Sequence, residues 1–315
     1  MTPHRRPLFR RLALLGIGLI GSSVARAARR GKLAKEIVCY SRRAETRNTA
    51  KKLSVVDQAF ADPAEAVAGA DLVMVCVHLG AYSEVGKRTG PALGKGAIVT
   101  DVGSTKQSAI RDLKPYLPKG VHLVPGHPVA GTEHSGPAAG FAELFDNRWC
   151  ILTPPPKTSK AATAKVTQFW RGCGAHVTSM DARHHDLVLA ITSHLPHLIA
   201  YNIVGTAADL EQVTKSEVIK YSAGGFRDFT RIAASDPVFW RDVFLNNKDA
   251  VLEILGRFTE DLTALQRAIR WGDGAALEDR FTRTRAIRRG IIQAGQETPA
   301  PDFGRLAAVT AVRKP

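Results

Sequence analysis

Leu12-Ala13-Leu14-Leu15-Gly16-Ile17-Gly18-Leu19-Ile20-Gly21-Ser22 is the stretch that decides the fold. A short apolar run, the pattern of a buried strand, meets a GxGxxG turn that opens a helix. GxGxxG alone is weak, but between a strand and a helix each glycine has a task. Gly16 permits the tight turn, Gly18 lets backbone approach a pyrophosphate, and Gly21 lets helix and strand pack closely. Gly16, Ile17, Gly18, Leu19, Ile20 and Gly21 are therefore assigned to the phosphates of a dinucleotide, held by free N–H groups at the helix N-terminus.

The residues around this turn imitate a secretory leader. Arg5-Arg6 and Arg10-Arg11 precede the apolar run, and Ala25-Arg26-Ala27 follows it. The run is too short to span a bilayer, and fixed glycine offsets are not needed in a leader. It reads as structure, in a cytoplasmic protein that uses no membrane. Cys39, Cys76, Cys150 and Cys173 lie far apart with no CxxC pair, which speaks against a zinc site and a disulfide framework.

Further along the chain, short β-branched runs at 12–15, 37–40, 72–77, 97–100, 122–124, 150–152 and 176–178 alternate with helical patterns at 19–30, 44–52, 82–90 and 106–117. Alternation of this kind gives a doubly wound parallel sheet, an α/β fold of the Rossmann type, over residues 1–180. After Met180 the pattern becomes helical. A long helix over 181–208 is kinked by Pro196, Gly224-Gly225 breaks the next, and Asp236-Pro237 starts another as N-cap and first residue. An amphipathic pattern runs from there to about 270, and a last helix covers 275–293. The reading is an all-α substrate and dimerisation domain over 181–295, then a Pro- and Ala-rich tail over 296–315. Its apolar faces are wide enough to need a partner, so a homodimer is expected.

The 315 residues carry a net charge of +15, with 44% hydrophobic and 23% charged residues. That composition excludes wholesale disorder, collagen-like repeats and a multi-span membrane protein. The charge is uneven. Residues 1–52 hold 14 Lys/Arg against Glu36 and Glu45, while the other 263 residues hold 30 basic and 27 acidic side chains. A basic lobe attracts phosphates and small dianions as well as nucleic acid, and no nucleic-acid-binding motif is present. About 20 positions past the glycine turn, an NAD-binding chain places an acidic residue on the ribose. Here stand Ser41, Arg42 and Arg43, which suit a 2′-phosphate, so NADP is favoured and NAD stays possible.

Three further segments carry chemistry. They are Asp101-Val102-Gly103-Ser104-Thr105-Lys106, Gly126-His127-Pro128-Val129-Ala130-Gly131-Thr132-Glu133 and Ser193-His194-Leu195-Pro196-His197. With the glycine turn before them and Gly225-Phe226-Arg227-Asp228-Phe229-Thr230-Arg231 behind, the chain resembles the prephenate/arogenate dehydrogenases. The resemblance runs from about Leu12 to Asn247. It implies NAD(P)-dependent oxidative decarboxylation of a cyclohexadienol, prephenate to 4-hydroxyphenylpyruvate or arogenate to tyrosine, without a metal.

The resemblance also assigns residues. His127 matches the family's catalytic histidine, and a neutral imidazole can accept the ring hydroxyl's proton as hydride departs. Ser104 bridges His127 and that hydroxyl, caps a helix, or does both. Asp101 is assigned to the cofactor, with loop ordering as its alternative, and Lys106 shares the motif. His194 and His197, on one helix face, line the substrate pocket or are core histidines; their spacing permits a metal, but no Cys or acidic partner completes a site. Arg231 takes a substrate carboxylate, with Arg227 as its neighbour or an ion pair with Asp228. Trp240 lies near the pocket of its own or the partner subunit, or packs in the core, and Glu133 stands at the mouth. The competing readings are another two-domain NADP enzyme of the β-hydroxyacid dehydrogenase or pyrroline-carboxylate reductase type, and a non-catalytic dinucleotide- or nucleic-acid-binding protein.

Overall fold

The structure, a computed structural model, describes residues 6–132, 134–214, 220–221 and 223–293, without the side chains of 210–214. Its first sheet has six parallel strands in the order β3-β2-β1-β4-β5-β6. They are β1 (Phe9–Leu15), β2 (Ala34–Tyr40), β3 (Gln58–Phe60), β4 (Leu72–Val75), β5 (Ile98–Asp101) and β6 (His122–Leu123). The stretch that imitates a leader is thus a central strand.

These strands have near-continuous apolar sequences because both faces are covered. Successive side chains point to opposite faces. Leu12, Leu14, Ile37, Cys39, Leu72 and Met74 join one core, and Ala13, Leu15, Val38, Tyr40, Val73 and Val75 join another. Helices α1 (Leu19–Arg30), α2 (Ala44–Lys52), α3 (Pro63–Val67), α4 (Tyr82–Thr89) and α5 (Lys106–Leu113) make the crossovers. The chain order reverses between β1 and β4, the switch point beside which such sheets bind ligands.

A second sheet holds β7 (Gly126–Pro128), β8 (Trp149–Leu152) and β9 (His176–Ser179), with β7 antiparallel and β9 parallel to β8. Helix α6 (Lys160–Gly172) links β8 to β9, its N-terminus capped by Ser159. His127 therefore lies within a short strand, paired to Ile151. Gly and Pro on either side of it hid the strand from propensity. The three residues of β3 were too few to show a period.

Helix α7 (Ala182–Leu189) is capped by Asp181, which accepts from Arg183 N at 2.8 Å. A π-helical turn, Ala190–His194, joins it to α8 (Leu195–Thr214). The expected kink is this π-turn, just before Pro196, whose ring nitrogen cannot close an ordinary helical bond. Its freed carbonyls are partly served by side chains: His197 Nδ1 donates to Ser193 O at 2.8 Å. By length and composition alone, Ala182–Asp209 is apolar enough to cross a membrane. It nevertheless carries His185, Asp186 and His194, buried and hydrogen-bonded inside the unit.

Gly224 and Gly225 do not break a helix but begin one, α9 (Gly224–Thr230). Helix α10 (Pro237–Asn246) starts as expected, with Asp236 accepting from Phe239 N at 2.7 Å. Helices α11 (Lys248–Trp271) and α12 (Gly274–Gln293) complete the described chain. The tail expected over 296–315 lies outside the described residues. Two compact units result, Met1–Ile254 and Leu255–Pro315. The second holds the rest of α11 and all of α12, tied by Arg280 to Asp261 at 3.1 Å and carrying exposed Leu262, Ile269, Trp271, Phe281 and Ile287.

Candidate active site

The glycine turn lies between β1 and α1, at the switch point. Gly16 has φ +108°, and a Cβ there would stand 2.7 Å from Cys76 O. A Cβ on Gly21 would collide with Gly16 O. These two glycines are required by the protein itself. Gly18 is different: a Cβ there meets nothing within 4 Å, so packing within the protein does not require it small. No side chain caps α1. An open glycine at an uncapped helix N-terminus fits a dinucleotide's pyrophosphate. Ile17 is buried in the core and offers only its backbone, while Leu19 and Ile20 are half-buried.

The end of β2 adjoins this turn, with Gly16 N donating to Tyr40 O at 3.0 Å. Ser41 is half-buried and Arg42 and Arg43 are exposed. Arg47 braces the loop, donating to Ser41 O at 2.7 Å and Arg42 O at 2.9 Å.

Asp101 is engaged inside the protein rather than open to a ligand. It has no exposed surface, and its carboxylate accepts from Tyr82 Oη at 2.9 Å, Lys106 Nζ at 2.6 Å, Gly103 N at 2.9 Å and Gly126 N at 3.1 Å. A carboxylate with this many donors has nothing left for a ribose. Lys106, equally buried, also donates to Gly126 O at 2.6 Å. Burial lowers its pKa, against the pull of Asp101. Together the pair clamps the residue before His127 on both its polar groups, which is the loop-ordering alternative.

His127 is nearly buried, at 7% exposure. Its Nδ1 lies 2.9 Å from His185 Nε2, and His185 Nδ1 lies 2.8 Å from Asp186 Oδ1. Burial holds His127 well below the usual histidine range, helped by His185, Lys106 and His194. Its surroundings therefore favour the neutral imidazole. His185 is also lowered by burial, despite its bond to Asp186. Burial opposes the charge on Asp186. Hydrogen bonds from His185 and from the Lys106 and Gln107 amides overcome it and hold the carboxyl below its ordinary range.

His194 has no exposed surface, and desolvation pushes it down to about 4. Asn247 Nδ2 lies 3.1 Å from its Nδ1 and donates to Asp186 O at 2.8 Å, tying α7 and the π-turn to the residue ahead of α11. An amide N–H only donates, so His194 carries its proton on Nε2, a buried donor with no partner among the described residues. His197 stacks on Trp240, ring centroids 3.6 Å apart and 23° between planes. Burial lowers its pKa, and nearby Arg231 adds to the shift.

His127 thus adjoins His194, and His194 and His197 both pack on Trp240 of their own chain, with Arg231 in electrostatic range of His197. Ser104 is half-buried in the turn between β5 and α5. It is not the helix cap: Thr105 holds that position, and Asp186 accepts the first amides. Arg227 points outward, its side chain 78% exposed and 3.5 Å from Asp228. Glu133 lies outside the described residues. Sequence reading passed over His185, Asp186 and Asn247. The available signal was ionisable His185 and Asp186 on the helix face that also buries Leu189 and Ala190.

A neutral imidazole with a bare nitrogen, a buried donor, a guanidinium and an anion-binding turn suit hydride removal from an anionic hydroxy compound. Comparison with known proteins agrees. Residues 24–179 match the family model described as prephenate dehydrogenase, nucleotide-binding domain, and residues 181–283 the one described as its dimerization domain. A cyclohexadienyl dehydrogenase of Zymomonas mobilis is 42% identical over 90% of this chain and 97% of its own. A prephenate dehydrogenase of Bacillus subtilis is 32% identical over 89% of this chain and 76% of its own. The crystal structure of prephenate dehydrogenase from A. aeolicus with hydroxyphenyl propionate and NAD+ superposes with a TM-score of 0.84 at 33% identity, covering 90% of this chain and 98% of that one.

Proposed function

This chain belongs to the prephenate dehydrogenase family, and from that premise we propose how its own residues carry the reaction. It catalyses NAD(P)-dependent oxidative decarboxylation of prephenate in tyrosine biosynthesis and works as a homodimer. A nicotinamide dinucleotide held at the glycine turn would supply the acceptor for the hydride that leaves C4 of the ring. As it leaves, the bond to the ring carboxylate breaks, carbon dioxide departs and its electron pair completes the aromatic ring. The hydroxyl proton is shared with His127 Nε2 in the transition state and stays on the phenol product, so the step needs no external base. Aromatisation drives the reaction, and the protein mainly positions, polarises and binds anions.

The observation that carries this reading is the buried His127, its Nδ1 held 2.9 Å from His185, with His194 beside it and Arg231 acting on His197 further along. Ser104 assists at the hydroxyl, Arg231 holds a substrate carboxylate, and His194, His197 and Trp240 line the pocket. The glycine turn and Ser41–Arg42 hold the dinucleotide. NADP is the favoured cofactor because Ser41, Arg42 and Arg43 stand where an acidic residue would repel a 2′-phosphate; NAD is the second reading, the cofactor seen in the A. aeolicus enzyme. Residues 1–180 form the dinucleotide domain and 181–295 the substrate and dimerisation domain. Four buried or half-buried free cysteines fit a cytoplasmic protein.

The test is turnover of prephenate and of arogenate with NAD+ and NADP+, following reduced cofactor and carbon dioxide. Prephenate turnover with both products in equal amounts is expected. Binding of dinucleotide without turnover of either acid would overturn the reading.

A further inference from the structure

We propose that His185 and Asp186 fix the tautomer and the ring position of His127, so that its Nε2 lone pair faces the substrate hydroxyl. The proposal rests on His127 as the group that acts on that hydroxyl. The argument begins at the N-terminus of α5. Lys106 N donates to Asp186 Oδ1 at 2.7 Å and Gln107 N to Oδ2 at 2.9 Å. These amides and the positive end of the helix favour an ionised carboxylate. An ionised carboxylate only accepts, so the proton in the 2.8 Å contact with His185 sits on His185 Nδ1.

A neutral imidazole carries one proton. His185 Nε2 is then an acceptor, and the 2.9 Å contact leaves His127 one role, donation from Nδ1. Neutral His127 consequently holds its lone pair on Nε2, which no protein group among the described residues occupies. The other tautomer would set two lone pairs against each other at 2.9 Å, too close for a water to separate them, beside His185 and Asp186, which have no exposed surface.

The ionisable neighbours allow no competing choice. His127 is faced by His185 on α7, Lys106 on α5 and His194 on the π-turn; His185 is faced by Asp186, Lys106 and Asp101. Lys106 Nζ is committed to Asp101 and Gly126 O, and Asn247 is on His194. Among the described residues, only His185 offers His127 Nδ1 an acceptor. Lys106 also links the two halves of the device, because its side chain pins Gly126 and its main chain pins Asp186. As the substrate hydroxyl shares its proton, positive charge grows on His127 and faces the Asp186 carboxylate across His185. No proton leaves the chain. His185 and Asp186 are positioning residues, not groups that touch the substrate.

The test compares two variants and reads the tautomer directly. In His185→Gln the amide oxygen falls near the former Nε2 and can still accept from His127. In His185→Asn the amide stays near the former Nδ1, keeping Asp186 but losing His127. The expected result is a kcat lowered roughly 10–100-fold in His185→Asn, the scale seen when outer partners of a working histidine are removed, with the KM for prephenate little changed and kcat substantially restored in His185→Gln. Melting temperature and dinucleotide affinity identify a folding defect. Nitrogen-15 NMR of histidine-labelled wild type, assigned with His127→Asn, should show His127 protonated on Nδ1. Equal kcat in two folded variants, or a proton on Nε2, would overturn the proposal. An unimpaired His127→Asn would instead remove the role of His127 itself, while the NMR result still reports the tautomer.

Discussion

Arg231 and Arg227 stand four positions apart, and the guanidinium that influences His197 belongs to Arg231, while Arg227 pairs outward with Asp228. A carboxylate contact exists in both the ground and transition states, so its loss belongs mainly in KM. Arg231→Gln is expected to raise the KM for prephenate strongly and lower kcat less, a loss of about 1.5–3 kcal/mol for one charge-assisted contact. Arg227→Gln should do neither; the reverse order would exchange their roles. At the other end of the site, Ser41→Asp brings an anion to the place assigned to the 2′-phosphate. The ratio of kcat/KM for NADP+ over NAD+ should fall, and a wild type that already favours NAD+ tenfold would contradict the phosphate argument. Residue types in a motif singled out His127, His197 and Arg231, and offered Asp101 either the cofactor or loop ordering. They could not choose between those tasks for Asp101 and gave no sign of Asp186, because a carboxylate's task depends on which donors the fold brings from distant segments: Tyr82 and Gly126 for one, Lys106 and Gln107 for the other.

The elements that build the site differ in how openly the sequence declares them. Helix α1 matches the expected 19–30, since strand, glycines and small residues all agree locally. β7 carries His127 yet is three residues flanked by poor strand formers, and exists because β8 offers it a partner. Long-range pairing of that kind leaves no local period. The π-turn likewise follows from Pro196 only once the helix is built around it. The glycine turn gives a prediction at this scale. Gly21→Ala forces a methyl against Gly16 O, and such overpacking costs about 1–3 kcal/mol, lowering the melting temperature of the apoprotein. Gly18→Ala meets no protein atom, so the fold should be unchanged while dinucleotide affinity falls. Calorimetry and a binding titration separate the two. Unchanged affinity in Gly18→Ala would remove the pyrophosphate from this turn.

Across the whole molecule, His127, His185, His194 and His197 are all held below their ordinary pKa, chiefly by burial. The unfolded chain takes up protons at these positions near pH 6.5 while the folded protein does not. Stability is therefore full above that pH and falls as pH drops through the window between 6.5 and each folded value, about 4 for His194. Each histidine contributes roughly 1.4 kcal/mol per pH unit within the window. Urea unfolding at neutral pH and at pH about 5 should show a steep loss; equal stability would mean that these rings are not buried neutral. The same neutrality underlies the chemistry, because only an uncharged His127 can accept the hydroxyl's hydrogen. The most direct measurement is steady-state turnover of prephenate by His127→Asn beside wild type, with dinucleotide affinity measured in both. The account predicts kcat lowered roughly 10²-fold or more, the usual scale for a positioned group that shares a proton in the transition state, with KM and cofactor affinity little changed. A kcat near that of wild type would contradict it.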